Sequence, residues 1–402
     1  MVQYRYMTNN DISELLSRGI QSIYPTKEFL EDKIRKGEKL TIYLGIDPTG
    51  PTLHLGHAIP IKKLSEFQKL GHKIILMMGD FTAMIGDPTD KNATRKQLTH
   101  KEVMENLKNY KKQASSLISF TGKNKAQFKF NSKWLSKLSF QDVLSLASKK
   151  TVQQMLERDM FEKREKEGKP IFIHEFMYPL MQGYDSVAMD VDGEIGGNDQ
   201  TFNMLCGRDL MKSIKGKEKF VITMKLLEDN TGKKMGKTEG NMLTLADTPE
   251  VMYGNIMSWS DSLILQGFEL CTNVSMEDID KMKKDLENGA NPKGSKERLA
   301  KEIVTMYHGE KKAEKAQENW EKIFSKKEIP ETVKEVEVNK NELILDVFLK
   351  NQIISSKSDF RRLVDEKAVI NLNTNKKISY SEKVENGTYR IGKKRFIRLK
   401  IL

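Results

Sequence analysis

A short apolar run leading into a loop with a histidine at each end constrains this chain most. Residues 40–46 are typical of a buried strand, and the motif His-Leu-Gly-His follows at 54–57. Residues 58–70 repeat apolar side chains at helical spacing, and residues 73–78 are again apolar, as central parallel strands are. This order of strand, helix and strand predicts a right-handed parallel unit, and hence an α/β fold.

The loop at 54–57 is a candidate phosphate site. Ligands of parallel sheets bind beyond the carboxyl ends of the strands, where His54 and His57 fall. Gly56 allows close backbone approach, the helix start offers free N–H groups, and imidazoles donate hydrogen bonds to phosphate oxygens. A surface turn or half of a metal site also explains the motif. The other histidines and the two cysteines show no ligand spacing, so no structural metal is expected.

A second candidate phosphate loop lies far downstream, at residues 230–240. Three glycines in this stretch predict a loop, and Lys234 and Lys237 are flexible cations suited to phosphate. The glycine spacing differs from that of the usual phosphate-binding loop, and an ordinary solvated lysine loop is the alternative. Together the two motifs indicate a site that binds a nucleoside triphosphate from two sides.

Further polar residues carry candidate binding groups. Tyr178, Gln182 and Asp185 are spaced by four and three residues, which places them on one helix face. A buried polar seam is the alternative for this group. Asp199 and Gln200 follow two glycines, where backbone and ligand can meet. A loop after the second strand, for which a surface turn is the alternative, carries Asp87, Lys91 and Arg95.

Composition narrows the class of protein. No apolar run is long enough to span a membrane, and the first 16 residues lack the apolar core of a signal peptide. Two scattered cysteines give no disulfide framework, so we expect a cytoplasmic protein. Residues 340–402 contain 15 Lys and Arg against 7 Asp and Glu, and so carry eight of the net +12 charges. A basic excess at one end is typical of nucleic-acid binding, although lysine-rich surfaces also aid solubility.

The length and the changes in pattern predict several domains. We expect an α/β domain over 1–245, with a helical insertion at about 120–169 that contains one long charged helix, 151–167. We expect a helical domain over 246–325, a linker over 326–341 and a small α+β module over 342–402.

The last module carries its basic residues on a helix and on strands. Ser355 and Ser356 can cap a helix bearing Arg361 and Arg362. Residues 369–372 and 389–399 are typical of strands, and the second of these stretches carries Lys393, Lys394, Arg395 and Arg398. Such an arrangement suits a folded RNA, which is recognised largely by shape and phosphate.

The motifs together resemble a known family. From about residue 11 to 402 the chain is similar to bacterial-type tyrosyl-tRNA synthetases, which are class I aminoacyl-tRNA synthetases. The segments that carry the resemblance are Tyr43-Leu-Gly-Ile-Asp-Pro-Thr49, the motif at 54–57, Ile85-Gly-Asp-Pro88, Tyr178-Pro-Leu-Met-Gln-Gly-Tyr-Asp185, Gly196-Gly-Asn-Asp-Gln200 and Lys234-Met-Gly-Lys-Thr238. The resemblance implies a Rossmann-like parallel-sheet catalytic domain, an anticodon-side helical domain and a small RNA-binding module.

The resemblance also implies the reaction and its partners. Tyrosine attacks the α-phosphate of ATP, which is accompanied by Mg²⁺, and tyrosyl-adenylate and pyrophosphate form. The tyrosyl group then passes to the terminal ribose of tRNA(Tyr). No covalent nucleophile is needed, so positioning and charge stabilisation carry the catalysis. A homodimer with tRNA bound across both subunits is implied too, and no editing domain is expected.

Roles for individual residues follow from the same resemblance. The tyrosine hydroxyl would be held by Tyr43 and Asp185, and its ammonium group by Tyr178, Gln182 and Asp87. Ribose and adenylate contacts match Asp47, Gly56, Asp199 and Gln200. The first phosphate clamp matches Thr49, His54 and His57. The groups that bind pyrophosphate match Lys91, Arg95, Lys234 and Lys237.

Some positions depart from the family pattern, and three other functions compete. Gly236 and Thr238 replace the serines of the wider class I signature, Thr201 replaces an aromatic residue and Asp90 a glycine; these changes bear on rates and not on the reaction. A tryptophanyl-tRNA synthetase would share the fold, but the basic module and the pair of Tyr43 and Asp185 argue against it. A non-catalytic RNA-binding scaffold would not need the phosphate motifs, and a small-molecule adenylate-forming ligase would not need the basic module.

Overall fold

The computed structural model describes residues 8–88, 98–228, 242–325, 333–354, 356–392 and 395–401. The chain divides into two compact units, Met1–Glu314 and Lys315–Leu402. The boundary falls inside the helix Glu310–Ser325. None of the helices in the described ranges is long and apolar enough to cross a membrane.

A six-stranded sheet forms the centre of the first unit. Its spatial order is β1-β6-β5-β2-β3-β4, with β1 antiparallel to β6 and the other neighbours parallel. The strands are β1 Ile20–Tyr24, β2 Thr41–Ile46, β3 Lys73–Met78, β4 Gln127–Phe130, β5 Gly193–Gly197 and β6 Phe220–Met224. The predicted parallel pairing of the two apolar runs, β2 and β3, is confirmed, and with it the α/β class.

Helices surround this sheet and continue after it. In chain order they are α1 Asn9–Leu15, α2 Lys27–Arg35, α3 Leu55–Lys69, α4 Thr82–Ile85, α5 His100–Leu107, α6 Tyr110–Ala114, α7 Ser132–Leu135, α8 Phe140–Ala147, α9 Val152–Leu156, α10 Asp159–Lys166, α11 Ile173–Met189, α12 Thr201–Lys215, α13 Pro249–Met257, α14 Ile264–Cys271, α15 Met276–Glu287, α16 Pro292–His308 and α17 Glu310–Ser325. Two short 3₁₀ helices span Asn198–Gln200 and Asp261–Leu263. The stretch predicted to be helical after residue 246 buries apolar side chains of α13 and α16, among them Met252, Ile256, Leu299 and Ile303.

The helix α3 begins three residues earlier than the apolar spacing predicts. His54 is its N-cap residue, with extended φ and ψ angles of −127° and 173°. A β-bridge between His54 and Thr244 holds the chain there, and the Leu55 N–H donates to the Leu243 carbonyl over 3.1 Å. Gly56 and His57 therefore lie in the first helical turn and not in a loop before it.

The segment at 120–169 differs from a purely helical insertion. It contains β4, which pairs with β3 in parallel and extends the sheet. The prediction of one long helix over 151–167 is wrong, because α9 and α10 are separate. Arg158 leaves the helical conformation, with ψ at 122°, and its buried side chain reaches Asp87. The break between the two helices thus coincides with a tertiary ion pair between Arg158 and Asp87.

The second unit contains a five-stranded sheet of order β7-β11-β10-β8-β9. Its strands are β7 Glu335–Val338, β8 Val369–Asn371, β9 Lys376–Lys377, β10 Gly387–Ile391 and β11 Arg395–Ile401, and its helices are α18 Ile344–Lys350 and α19 Lys357–Asp365. The stretch 389–399, expected as a strand, divides between β10 and β11, which form an antiparallel hairpin. The strand β7 lies in the stretch expected as a linker and pairs with β11 in parallel. Ser356 caps α19 as predicted, because its hydroxyl accepts the Asp359 N–H.

Candidate active site

The first turn of α3 presents the two histidines as a stacked pair. Their ring centroids are 3.8 Å apart, and His57 Nδ1 accepts the backbone N–H of His54 over 3.3 Å. Burial and the neighbouring His54 hold the pKa of His57 well below that of a free imidazole, so its ring stays neutral. A Cβ at Gly56 would lie 2.9 Å from His54 Cε1, so glycine permits this stacking. A neutral His57 ring in the first turn of a helix, at the positive end of its dipole, suits an anion.

Asp47, just after β2, is held on both oxygens. The Thr82 hydroxyl donates to Oδ1 over 2.7 Å, and the Tyr178 hydroxyl donates to Oδ2 over 2.8 Å. Gly79 makes room for this arrangement, since a Cβ there would lie 1.9 Å from Asp47 Oδ1. Thr49 lies two residues on, and its N–H donates to the Asp47 carbonyl over 2.9 Å. The end of β2 therefore presents a carboxylate whose position is fixed by two hydroxyl donors.

Asp185, on α11, is the most buried carboxylate of the group. The Trp134 indole N–H donates to Oδ1 over 2.7 Å, and the Asn131 amide donates to Oδ2 over 3.3 Å. Burial raises the pKa of Asp185 well above its usual value, and the two donated hydrogen bonds oppose that shift. Asn131 also donates to the Thr82 hydroxyl over 3.0 Å. One amide thereby joins the surroundings of Asp185 to those of Asp47.

Tyr43 lies beside Asp185 in the core of the sheet. It is fully buried in β2, and its hydroxyl is 2.9 Å from the Ser186 hydroxyl. Burial, with the charges of Glu194 and Asp185, raises the pKa of Tyr43 well above its usual value. The phenol therefore keeps its proton and remains a hydrogen-bond donor.

Tyr178 lies among three carboxylates. Burial raises its pKa well above the usual value, and the charges of Asp47, Asp87 and Asp185 add to the effect. The predicted placement of Tyr178, Gln182 and Asp185 on one helix is confirmed, because all three belong to α11. Gln182 donates its amide to Glu194 Oε1 over 3.1 Å. A buried region with this much negative charge favours a cationic ligand.

Asp87 is shared between a cation and an amide. Arg158 approaches Asp87 Oδ1 to 3.2 Å, and the Gln200 amide donates to Oδ2 over 2.8 Å. Asp199 is exposed in the short helix after β5, and a Cβ at Gly197 would lie 2.5 Å from its Oδ1. Thr201, the first residue of α12, donates its hydroxyl to the Asn198 carbonyl over 2.6 Å. Gln200 thus joins the loop after β5 to the loop that carries Asp87.

Some predicted residues lie outside the described ranges. They are Asp90, Lys91 and Arg95 of the polar loop, Lys234, Gly236, Lys237 and Thr238 of the lysine loop, and Ser355, Lys393 and Lys394 of the last module. The described residues contain no group of three or more His, Cys, Asp or Glu side chains that could hold a metal ion.

The sequence reasoning missed several residues that contact this site. They are Asn131, Trp134, Arg158, Ser186, Glu194 and Lys219. A signal existed for two of them, because Glu194 and Lys219 are charged residues inside or next to apolar strands. A charge in such a place needs a partner, and the two strands are neighbours in the sheet.

The comparison with protein families agrees with this geometry. The family described as "tRNA synthetases class I (W and Y)" matches residues 35–325. The chain therefore belongs to this family of class I aminoacyl-tRNA synthetases. Two relatives that are similar over nearly the whole chain are tyrosine–tRNA ligases. The tyrosine–tRNA ligase of Carboxydothermus hydrogenoformans is 44% identical over 400 residues, covering 96% of this chain and 97% of that protein. The tyrosine–tRNA ligase of Thermotoga maritima is 43% identical over 397 residues, covering 98% of each chain.

A solved structure shows the same fold. The tyrosyl-tRNA synthetase of Archaeoglobus fulgidus, crystallised with L-tyrosine, aligns with a TM-score of 0.61 at 23% identity. The alignment covers 77% of this chain and all of that one. The Rossmann-like class I architecture predicted from the motifs is therefore confirmed.

Proposed function

We propose that this chain is a tyrosine–tRNA ligase, which activates tyrosine with ATP and transfers it to the 3′-terminal ribose of tRNA(Tyr). The observation that carries the proposal is the buried Asp185 carboxylate, which Trp134 and Asn131 hold beside the Tyr43 phenol. The family of the chain supports the same reaction, as does its 43–44% identity, over nearly the full length, to two tyrosine–tRNA ligases.

The tyrosine side chain would bind between Tyr43 and Asp185. The substrate phenol would donate to Asp185 and accept from Tyr43, so both of its hydrogen-bonding functions are used. Phenylalanine would leave buried polar groups without a partner, which costs more than a lost contact with an apolar wall. This chemistry explains how one pocket selects tyrosine without a separate editing step.

The ammonium group of tyrosine would bind near Tyr178. Asp47, Asp87 and Asp185 place negative charge around that hydroxyl. Gln182 donates its amide to Glu194, which leaves its carbonyl oxygen to accept from the ammonium group. The described contacts of Asp87 include Arg158, so we propose that the bound ammonium group competes with this arginine.

The ATP end would lie at the start of α3. Thr49, His54 and His57 would contact the phosphates, and Gly56 would let the nucleotide approach the backbone. Asp47, Asp199 and Gln200 would contact the ribose and adenylate. The cations that would bind the leaving pyrophosphate are Lys91, Arg95, Lys234 and Lys237.

The chemistry then needs no group on the enzyme to form a bond. A tyrosine carboxylate oxygen attacks the α-phosphorus, the bond to the bridging oxygen breaks, and pyrophosphate leaves with the electron pair. A ribose hydroxyl of the tRNA next attacks the tyrosyl carbonyl carbon, the bond from that carbon to the phosphate oxygen breaks, and AMP leaves with the electron pair and takes up the hydroxyl proton. Fixed donors and cations lower both barriers because they meet charge that develops in the transition state.

The second unit would bind the tRNA. In its hairpin, Tyr389, Ile391, Ile397 and Leu399 are buried, so the alternate residues lie on the opposite face of the sheet. That face carries Arg390, Phe396, Arg398 and Lys400. Cations beside an aromatic ring suit a phosphate backbone with accessible bases.

Three further features belong to the same proposal. Mg²⁺ would enter as the counterion of ATP, because this hard cation prefers phosphate oxygens and water. The enzyme would act as a homodimer. We place it in the cytoplasm, where the two buried free cysteines, Cys206 and Cys271, would stay reduced.

The proposal is tested by amino-acid-dependent exchange of pyrophosphate into ATP, without tRNA. Exchange with tyrosine, and none with tryptophan or phenylalanine at equal concentration, is expected. Exchange with tryptophan would assign the chain to the other specificity of its family. No exchange with any of the three would leave the RNA-scaffold alternative.

A further inference from the structure

A buried ion pair lies beside the proposed tyrosine pocket. Lys219, directly before β6, is fully buried and pairs with Glu194 of β5, which is 2% exposed. The strands β5 and β6 are parallel neighbours, with Glu194 opposite Val221. A buried ion pair is a poor source of stability, because the cost of taking both charges out of water offsets their attraction. The contacts of Lys219 and Glu194 indicate a role in the neighbouring pocket.

Each member of the pair contacts a different part of the pocket. Glu194 Oε1 accepts the Gln182 amide over 3.1 Å, while its other oxygen accepts from Lys219. Lys219 Nζ also donates to the Ser186 hydroxyl oxygen over 2.9 Å. The Ser186 oxygen is in turn 2.9 Å from the Tyr43 hydroxyl. The pair is therefore joined to the phenol end through Ser186 and to the ammonium end through Gln182.

The Lys219 ammonium group decides the direction of the hydrogen bonds around the Ser186 hydroxyl. In the described part of the chain the Ser186 hydroxyl has two partners, Tyr43 and Lys219. An ammonium group donates and cannot accept, so the Ser186 hydrogen has only the Tyr43 oxygen to bond. Tyr43 is then the acceptor from Ser186, and its own hydrogen is left for the nearby Glu194 carboxylate or, once tyrosine binds, for the ligand.

We propose that Lys219 and Glu194 are positioning residues that orient the tyrosine pocket, Lys219 through Ser186 and Tyr43, and Glu194 through Gln182. Lys219 makes the Tyr43 hydroxyl a donor to the substrate phenol oxygen. Glu194 occupies the Gln182 amide and turns its carbonyl oxygen toward the substrate ammonium group. This inference rests on the proposed tyrosine specificity.

The path through Ser186 and Tyr43 and the path through Gln182 are here called the two arms, and they have different consequences for a ligand without a phenol hydroxyl. Phenylalanine shares the ammonium group with tyrosine but has no phenol oxygen to accept from Tyr43. A change in the arm through Ser186 therefore weakens tyrosine and leaves phenylalanine unchanged. A change in the arm through Gln182 weakens both. An ion pair that only supported the fold would change the binding of tyrosine and of phenylalanine to the same extent.

The test uses the full chain in pyrophosphate exchange, with KM for tyrosine, KM for ATP and the inhibition constant of phenylalanine as readouts. Ser186→Ala is expected to raise KM for tyrosine about tenfold, the effect of one lost hydrogen bond, with the two other constants unchanged. Lys219→Met combined with Glu194→Gln, which leaves no lone buried charge, is expected to raise both tyrosine KM and the phenylalanine constant.

A double-mutant cycle isolates the arm that runs from Lys219 through Ser186 to Tyr43. When Ser186→Ala is already present, adding Lys219→Met with Glu194→Gln is expected to leave the ratio of the tyrosine and phenylalanine constants unchanged. The matched control is Lys63→Met with Glu66→Gln, since Lys63 is also buried and ion-paired, but its hydrogen bonds go to Glu66 and to the Leu15 carbonyl. That control is expected to keep the parental constants.

Two results would overturn the inference. One is an equal change of both ligands in Ser186→Ala; the other is a further change in the ratio when the three substitutions are combined. Ser186→Ala keeps the test decisive if the pair variant does not fold. Failure of the proposed function would look different, because the parent chain itself would then show no tyrosine-dependent exchange.

Discussion

The Trp134 indole N–H donates a 2.7 Å hydrogen bond to Asp185 Oδ1. Trp134 follows β4 in the sequence, whereas Asp185 lies on α11, so two separate segments meet at this atom pair. Asn131, from the same turn as Trp134, donates to the other oxygen. The carboxylate is thus oriented without a ligand, and for the proposed tyrosine site this orientation would reduce the ordering needed on binding.

Replacing Trp134 by phenylalanine should weaken tyrosine binding selectively. The ring remains, but the hydrogen bond to Asp185 is lost, and a buried acceptor left with one partner fewer costs about 1–3 kcal/mol. KM for tyrosine in pyrophosphate exchange should rise about tenfold, while KM for ATP stays unchanged. Trp320→Phe, in the second unit, is the matched control. Equal tyrosine KM values in the two variants would contradict the role of Trp134.

Asp185→Ala should abolish tyrosine activation while tRNA affinity stays largely intact. The substitution removes the acceptor for the substrate phenol and leaves Trp134 and Asn131 without their shared partner. Exchange kinetics and tRNA filter binding measure the two functions separately. The exposed Asp285→Ala serves as the control and should behave as the parent. Activation by the Asp185 variant at the parental rate would remove the basis for the pocket assignment.

Gly79→Ala should damage the site through Asp47. The added methyl group would lie 1.9 Å from Asp47 Oδ1 and 2.3 Å from the Thr82 hydroxyl, so the carboxylate must move. A displacement of about 1 Å at a reacting site can reduce the rate about a hundredfold, and kcat/KM for exchange should fall on that order. Gly294→Ala, where a Cβ meets open space, is the control. Activity of both variants at the parental level would show that Asp47 tolerates displacement.

Removal of residues 326–402 should spare adenylate formation and weaken tRNA charging. This boundary is preferable to one at residue 342, because β7 at Glu335–Val338 pairs with β11 and would otherwise lose its partner. The truncated chain should show a shallower dependence of tRNA affinity on salt, since fewer phosphates are neutralised. Charging and exchange should be measured from low to physiological salt. Charging kinetics equal to those of the full chain would exclude a role for this unit.

Stability should fall in mildly acidic solution because of His72. Its Nδ1 accepts the Leu40 N–H over 3.2 Å, which requires a neutral ring, and burial lowers the pKa of His72 to about 4. An unfolded histidine titrates near pH ~6.5. The contribution is therefore fully present above pH ~6.5 and is lost as the pH falls toward 4, because only the unfolded chain takes up the proton.

The free energy of unfolding that His72 loses on acidification is at most about 3 kcal/mol. Urea unfolding at several pH values should show it in the parent and not in His72→Gln, which can still accept the N–H. His100→Gln, at an exposed position, should retain the parental pH dependence. A His72→Gln variant with the same pH dependence as the parent would assign the loss to other groups.

Local patterns predicted the elements that carry the site. The apolar runs of β2 and β3 and the spacing of Tyr178, Gln182 and Asp185 on α11 depend on neighbours within one strand or helix. Such patterns are readable because the side-chain periods of strand and helix are short. The boundary of α3 was less accurate, since a bridge to Thr244 decides where that helix begins.

The amino-acid order was enough to predict the class of fold, the candidate ligand-binding residues and, through several motifs in combination, the family that the chain resembles. The contacts of those residues became visible only in the folded chain: Trp134 and Asn131 on Asp185, Arg158 on Asp87, and Lys219 with Glu194 next to Ser186. The difference comes from distance along the chain. A helical or strand period links residues a few positions apart, whereas Asn131 and Asp185 are 54 residues apart and meet only when β4 and α11 pack into one core.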